Sequence, residues 1–456
     1  MAFLDERYLL SCREAEAVYQ AIATLPIVDP HSHVDAERIA RNRGWEDLWE
    51  AEAQSDHYVW ELMRRSGVPE DQITGHATNE EKWRALAHVF PRFAGNPVYE
   101  WLHLDLRNRF GIRELINPGN AAAIWQQTKE HLAENRMKPV SLLKEMNVET
   151  LCTTDSPLSD LVSHQDLRRR LFDVRVLPTW RPDAASRIGG GQWNSFADAL
   201  AERMDVEISN LAGYMDALSK THRFFAAQGC VSSDHALEQP QELVTSQKRA
   251  AQIFDKARQG KPPDVSERAQ FEIFMLHFFA DLDMEAGWMM QLHVGAIRDY
   301  RDQLLLSLGR DAGGDVASHG TNFAQPLRGF LNKYDQRLRL VLYCLHPSHV
   351  YTLATLARAF PGIFVGAPWW FMDNPIHMQA HLSELASVDL LANFAGMVTD
   401  SRKLLAYQSR TELFRRTLAS TVGEMVTHGR VPVSLGVDIA KDICYARPRR
   451  LLEGGS

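Results

Sequence analysis

Two histidines one residue apart, His31 and His33, close a short apolar run in PIVDPHSHVD. Alternate residues of an extended chain point to the same side, so both imidazoles can reach one ion. Imidazole is a common ligand of divalent metals, and a pair of them needs a third donor. That donor is Asp400 in MVTDSR, which also ends an apolar run. Two histidines and one carboxylate make a metal set with room left for a substrate. Without Asp400, so close a pair reads more simply as hydrogen-bonded turn residues.

His293, in MQLHVGA, ends another such run. It is a further ligand, a substrate contact, or a strand-end histidine satisfied by hydrogen bonds. His346 and His349 in CLHPSHV flank a proline and a serine that point to a turn and a helix start, so they stay outside the set. His235 and His319 are no better placed.

Residues as distant in the chain as His31 and Asp400 meet only if the elements bearing them are neighbours. Short β-rich runs begin at Pro26, Glu149, Val174, Phe224, Trp288, Arg339, Gly362 and Phe394, with helical patterns between most of them. Continuous apolar runs suit strands buried on both faces of a parallel sheet. The expected fold is α/β, a distorted (β/α)8 TIM-like barrel, whose closure sets the last strand beside the first. Nearly every run ends on reactive residues (HSH, TTD, RPD, SSDH, HVG, HPSH, PWW, TDSR), which the C-terminal rim of such a barrel would gather into one pocket. The barrel is expected to be a single domain over residues 1–456. Residues 36–145, between strands one and two, are expected to form a mostly helical insertion covering the barrel mouth.

Composition narrows the partners. The chain has 456 residues, 45% of them hydrophobic, with a net charge of −8 and no long basic run. That disfavours nucleic acid and anionic membranes, and an anionic substrate would need a local arginine pocket. The five cysteines are scattered and form no CxxC pair, so no disulfide framework is expected. No stretch reads as a signal peptide or a membrane span. A cytoplasmic enzyme follows as the expectation, as a homo-oligomer of the kind common among barrels this large.

The segments VDPHSH, SDHYVW, TTDSP, VLPTWRPD, GCVSSDHA, MQLHVGAIR, GAPWWF and VTDSRKLLAYQSRTELFRR resemble the uronate isomerases, also called glucuronate isomerases, of the amidohydrolase superfamily. The resemblance implies conversion of D-glucuronate to D-fructuronate and of D-galacturonate to D-tagaturonate. By this likeness His31, His33 and Asp400 match the metal ligands; histidine and carboxylate donors suit zinc, with manganese, iron and nickel left open. His57, Tyr58, Arg181 and Arg402 match residues that contact or transform the substrate. Such an isomerisation takes a proton from C2, returns one to C1, and stabilises an enediolate between them. Asp400 would be the base, directly or through a water, and His57 or Tyr58 would shuttle protons among the oxygens. Arg402 would steady the enediolate, sharing a face with Asp400 if the backbone stays extended. Arg181 would take the C6 carboxylate. His293 would contact substrate, and Trp369 and Trp370 would offer it an apolar face.

The sequence departs from the family's pattern at Ser156, Val59 and Glu61, where an acid, a lysine and an arginine are usual. The rival reading is a metal-dependent hydrolase on the same scaffold, since such a metal site also activates water. The absence of lysine from GCVSSDHA speaks against a two-metal hydrolase site.

Overall fold

The computed structural model describes residues 3–170, 173–189, 191–242 and 245–454. The first seven expected runs each yield a parallel strand. They are β1 (Ile27–Asp29), β2 (Val148–Cys152), β3 (Arg175–Leu177), β4 (Ser232–Leu237) and β5 (Met289–Val294). A two-residue antiparallel ribbon follows, β6 (Ala296–Ile297) with β7 (Val316–Ala317), and then β8 (Arg339–Cys344) and β9 (Ile363–Val365). One parallel sheet runs β1-β2-β3 and another β4-β5-β8-β9. Every residue of β5, MMQLHV, is buried, as a parallel strand covered on both faces requires. Between the sheets, Trp180 forms parallel bridges to Asp155 on one side and to Ser233 on the other.

Two expected runs differ in detail. The residues from Phe224 to Ala227 end the Leu211–Ala227 helix, and the strand begins only at Ser232. Phe225 continues the buried helical stripe of Leu218, Thr221 and His222, so its apolar neighbours follow the helical period. The eighth run, 394–402, is not a ladder strand. Gly396 at φ +97° and Asp400 at φ +47° break its extension. Side chains satisfy its backbone instead: the Thr399 N–H donates to the Asp29 carboxylate at 3.0 Å, and its carbonyl accepts from Arg410 Nη1 at 2.8 Å. The segment still lies between β9 and β1. The Ala395 N–H donates to the Val365 carbonyl at 3.0 Å, and the His33 N–H donates to the Ser401 carbonyl at 2.9 Å.

Between β1 and β2 the described residues form helices and turns and no strand. One of these helices, His57–Arg65, is capped by Asp56, whose carboxylate accepts from the Tyr58 N–H at 3.0 Å. Further along, Glu61 accepts from the Gly314 N–H at 2.6 Å and so ties the helix to the 309–315 loop. Glu61 thus has a structural use here. No helix among the described residues is long and apolar enough to cross a membrane.

Sheet register positions the site. Ala236, His293 and Tyr343 are cross-strand partners, and Asp234 lies two residues before Ala236 on the same face. The His293 and Tyr343 rings stack at 4.2 Å. Gly366 makes room for that stack, because a Cβ there would overlap the Tyr343 ring.

Candidate active site

His31 and His33 follow β1 and converge as their spacing predicts. Their Nε2 atoms lie 3.3 and 3.2 Å from Asp400 Oδ1. The three donor atoms fall within 4.8 Å of one another, close enough to share one ion. Burial opposes ionisation of Asp400, but hydrogen bonds and charge from the two histidines hold its carboxyl well below the usual range. Burial pulls His33 down to about 4, despite Asp400 beside it. His31 faces both Asp234 and Asp400, which push it upward against burial.

A second layer of polar groups supports these. Asp234, within β4, is fully buried and accepts from His293 Nδ1 at 2.8 Å. Arg181 holds Asp234 at 2.9 Å through Nη1 and Asp183 at 3.0 Å through Nε. Burial works against ionisation of Asp234, yet Arg181 and the neighbouring histidines keep it well below the ordinary carboxylate value. His31, Asp234 and His293 also bring three donors within 4.8 Å. The Arg181 guanidinium on Asp234 already supplies positive charge there and repels a cation.

The helical segment between β1 and β2 supplies another wall. His57 opens its helix and meets the Trp370 ring at 5.2 Å. Burial and then the Arg402 charge pull His57 down to about 4, so its imidazole is neutral. Trp369 meets His293 edge-on at 4.7 Å, and Arg298 lies 4.4 Å over Trp370. Arg298 and Arg402 both face Asp311, at 3.7 and 3.9 Å.

All the sequence-predicted residues but one line a single cavity: His31, His33, His57, Arg181, His293, Trp369, Trp370, Asp400 and Arg402. Tyr58 is the exception. Its ring lies behind His57 at 4.7 Å, and its buried hydroxyl makes no hydrogen bond among the described residues. Arg402 reaches the cavity by a different route from the one expected. Asp400 turns left-handed, a conformation aspartate tolerates, so strict alternation between the two does not hold. Sequence reasoning passed over two residues here, Arg298 on the cavity wall and Asp234 behind His293. Both stand in quoted segments, MQLHVGAIR and GCVSSDHA, but Arg298 lies beyond the strand end and Asp234 was overshadowed by the adjacent histidine.

The family described as glucuronate isomerase matches residues 1–452. A uronate isomerase of Thermotoga neapolitana is 50% identical over 99% of this chain and 100% of its own length. The crystal structure of a uronate isomerase from Thermotoga maritima superposes with a TM-score of 0.97 at 48% identity, covering 99% of this chain and 100% of that one. A glucuronate isomerase structure from Caulobacter crescentus gives 0.95 at 26% identity, over 99% and 97% of the two chains. With a likeness that runs nearly end to end and a cavity in which the family-like motifs meet, this chain belongs to the glucuronate isomerase family and is an isomerase.

Proposed function

We propose that the cavity interconverts hexuronates with their 2-keto isomers, D-glucuronate with D-fructuronate and D-galacturonate with D-tagaturonate, at a single divalent metal. The observation that carries this is the convergence of His31, His33 and Asp400 within 4.8 Å of one another on a cavity also lined by three arginines. Two neighbouring imidazoles and an ionised carboxylate fit a divalent cation, and zinc suits that donor set. When bound, the ion supplies Lewis acidity toward the substrate's oxygens.

The chain's own groups supply the remainder. Asp400, held ionised, accepts the proton from C2 and returns it to C1. His57 is neutral, so it can take the proton from one substrate oxygen and give it to the other. Tyr58 supports it from behind. Arg402 faces the charge that develops on the enediolate. Arg181 is committed to Asp183 and Asp234 at 2.9–3.0 Å, whereas Arg298 holds its acids loosely at 3.6–3.7 Å. The substrate's C6 carboxylate therefore displaces the acids on Arg298, while Arg181 adds a fixed positive field. His293 offers its free Nε2 to a hydroxyl, and Trp369 and Trp370 cover the carbon chain.

The scaffold for this reading is a single-domain, distorted (β/α)8 barrel, with 36–145 folded over its mouth. Support comes from the Trp180 bridges between the two sheets and from the backbone bonds that seat 394–402 between β9 and β1. The test is incubation with glucuronate and galacturonate while ketose formation is followed. Turnover of either sugar supports the isomerase; inertness to both, with hydrolysis of amides or lactones instead, favours the hydrolase.

A further inference from the structure

Behind the cavity, where the insertion meets the chain just after Asp400, lies a group of buried charges that the reaction does not use. The Lys403 side chain is 5% exposed, with Nζ 3.2 Å from Glu52 Oε2 and 3.1 Å from Asp56 Oδ2. Both acids are buried, and Asp105 beside them is fully so. Burial and then the Glu52 charge push the Asp105 carboxyl far above its ordinary value. A buried ion pair adds little net stability over apolar packing of the same volume. What this one provides is registration between two parts of the chain.

Lys403 sits immediately after Arg402 and three residues after Asp400. Its turn is fixed locally: Ser401 Oγ accepts from the Lys403 N–H at 3.0 Å and donates to the Lys403 carbonyl at 2.8 Å. On the other side, Asp56 is the cap of the helix that opens with His57 and Tyr58. One oxygen of Asp56 takes the Tyr58 N–H and the other faces Lys403. Glu52 ends the preceding helix, Leu48–Glu52. A single ammonium thus joins the segment carrying His57 and Tyr58 to the segment carrying Asp400 and Arg402.

We propose that Lys403 is a positioning residue for the isomerisation. By gripping Asp56 and Glu52 it keeps the His57–Tyr58 helix in register with the Asp400–Arg402 turn, and it takes no part in proton transfer. This rests on the reading of those four residues given above.

The test compares Lys403→Met with a triple variant, Lys403→Met/Glu52→Gln/Asp56→Asn. In the triple variant neither former partner of the lysine remains a carboxylate, and asparagine still caps the helix. Metal-loaded proteins are assayed on D-glucuronate, with metal content and unfolding midpoint measured alongside. Both variants are expected to lose kcat by roughly 100-fold, the scale of a small misplacement of catalytic groups. KM stays within about threefold, and metal content stays at the wild-type level. The triple variant regains the unfolding midpoint without regaining kcat. Wild-type kcat in either folded variant, or kcat that recovers with the midpoint, overturns the proposal. Asp56→Asn alone removes one arm of the tether and is the milder probe: a kcat about tenfold down supports the proposal, and an unchanged kcat overturns it. Asp400→Asn serves as the reference. Full activity in that variant would sink the site reading itself, whereas full activity in the Lys403 variants beside an inert Asp400→Asn would sink only the tether.

Discussion

The backbone N–H of Asp400 donates to the carbonyl of His31 at 3.2 Å, while Asp400 Oδ1 lies 3.3 Å from Nε2 of the same histidine. Backbone and side chain thus register the last segment against the first strand together. Asparagine at 400 keeps the backbone bond and loses the charge. Asp400→Asn is expected to fold, to retain little metal by elemental analysis, and to lose more than about 100-fold in turnover, beyond the cost of losing a merely supporting partner.

Arg181 and Asp234 form an ion pair whose carboxylate is wholly buried, and its removal is felt first as instability. Arg181→Met leaves the Asp234 carboxylate, which is wholly buried, without its guanidinium. Chemical unfolding should report a loss of about 3 kcal/mol. Adding Asp234→Asn should recover part of that stability.

Arg298 has loose partners and stands on the cavity wall. Substitution by methionine should raise KM for hexuronates by roughly 10- to 100-fold, the worth of a charged hydrogen bond. The effect on kcat should be smaller, since the carboxylate lies away from the reacting carbons. Steady-state kinetics on glucuronate check both.

His57 predicts a pH dependence of stability. Burial and the Arg402 charge lower it from 6.5 to about 4. Across that window the unfolded chain binds a proton that the folded imidazole refuses, so stability rises with pH. The contribution is complete above 6.5 and disappears as pH falls toward 4. Urea unfolding at about pH 5 and pH 7 should show a smaller gain for His57→Gln than for the wild type. His33 and His381, also lowered to about 4, keep the variant's slope from vanishing.

Much of this site was legible in the sequence because period-2 geometry and strand ends are local signals. His31 and His33 needed only an extended backbone, and the apolar runs announced seven strands. What stayed hidden depended on contacts between distant segments. The irregular path at Asp400 is satisfied by Asp29 and Arg410, neither of which marks that path in the sequence. The commitment of Arg181 to Asp234 required knowing that the chain just after β3 lies beside the start of β4, where Trp180 bridges Ser233. Tyr58 stands behind His57 because both lie on a helix, where adjacent residues cannot share a face.

The most direct test of the account is anomalous diffraction from crystals grown with a divalent metal and a sugar acid. The account predicts one peak roughly 2.0–2.3 Å from His31 Nε2, His33 Nε2 and an Asp400 oxygen, with the sugar acid in the same cavity. A peak held instead by Asp234 and His293, or none within reach of the three ligands, would contradict it.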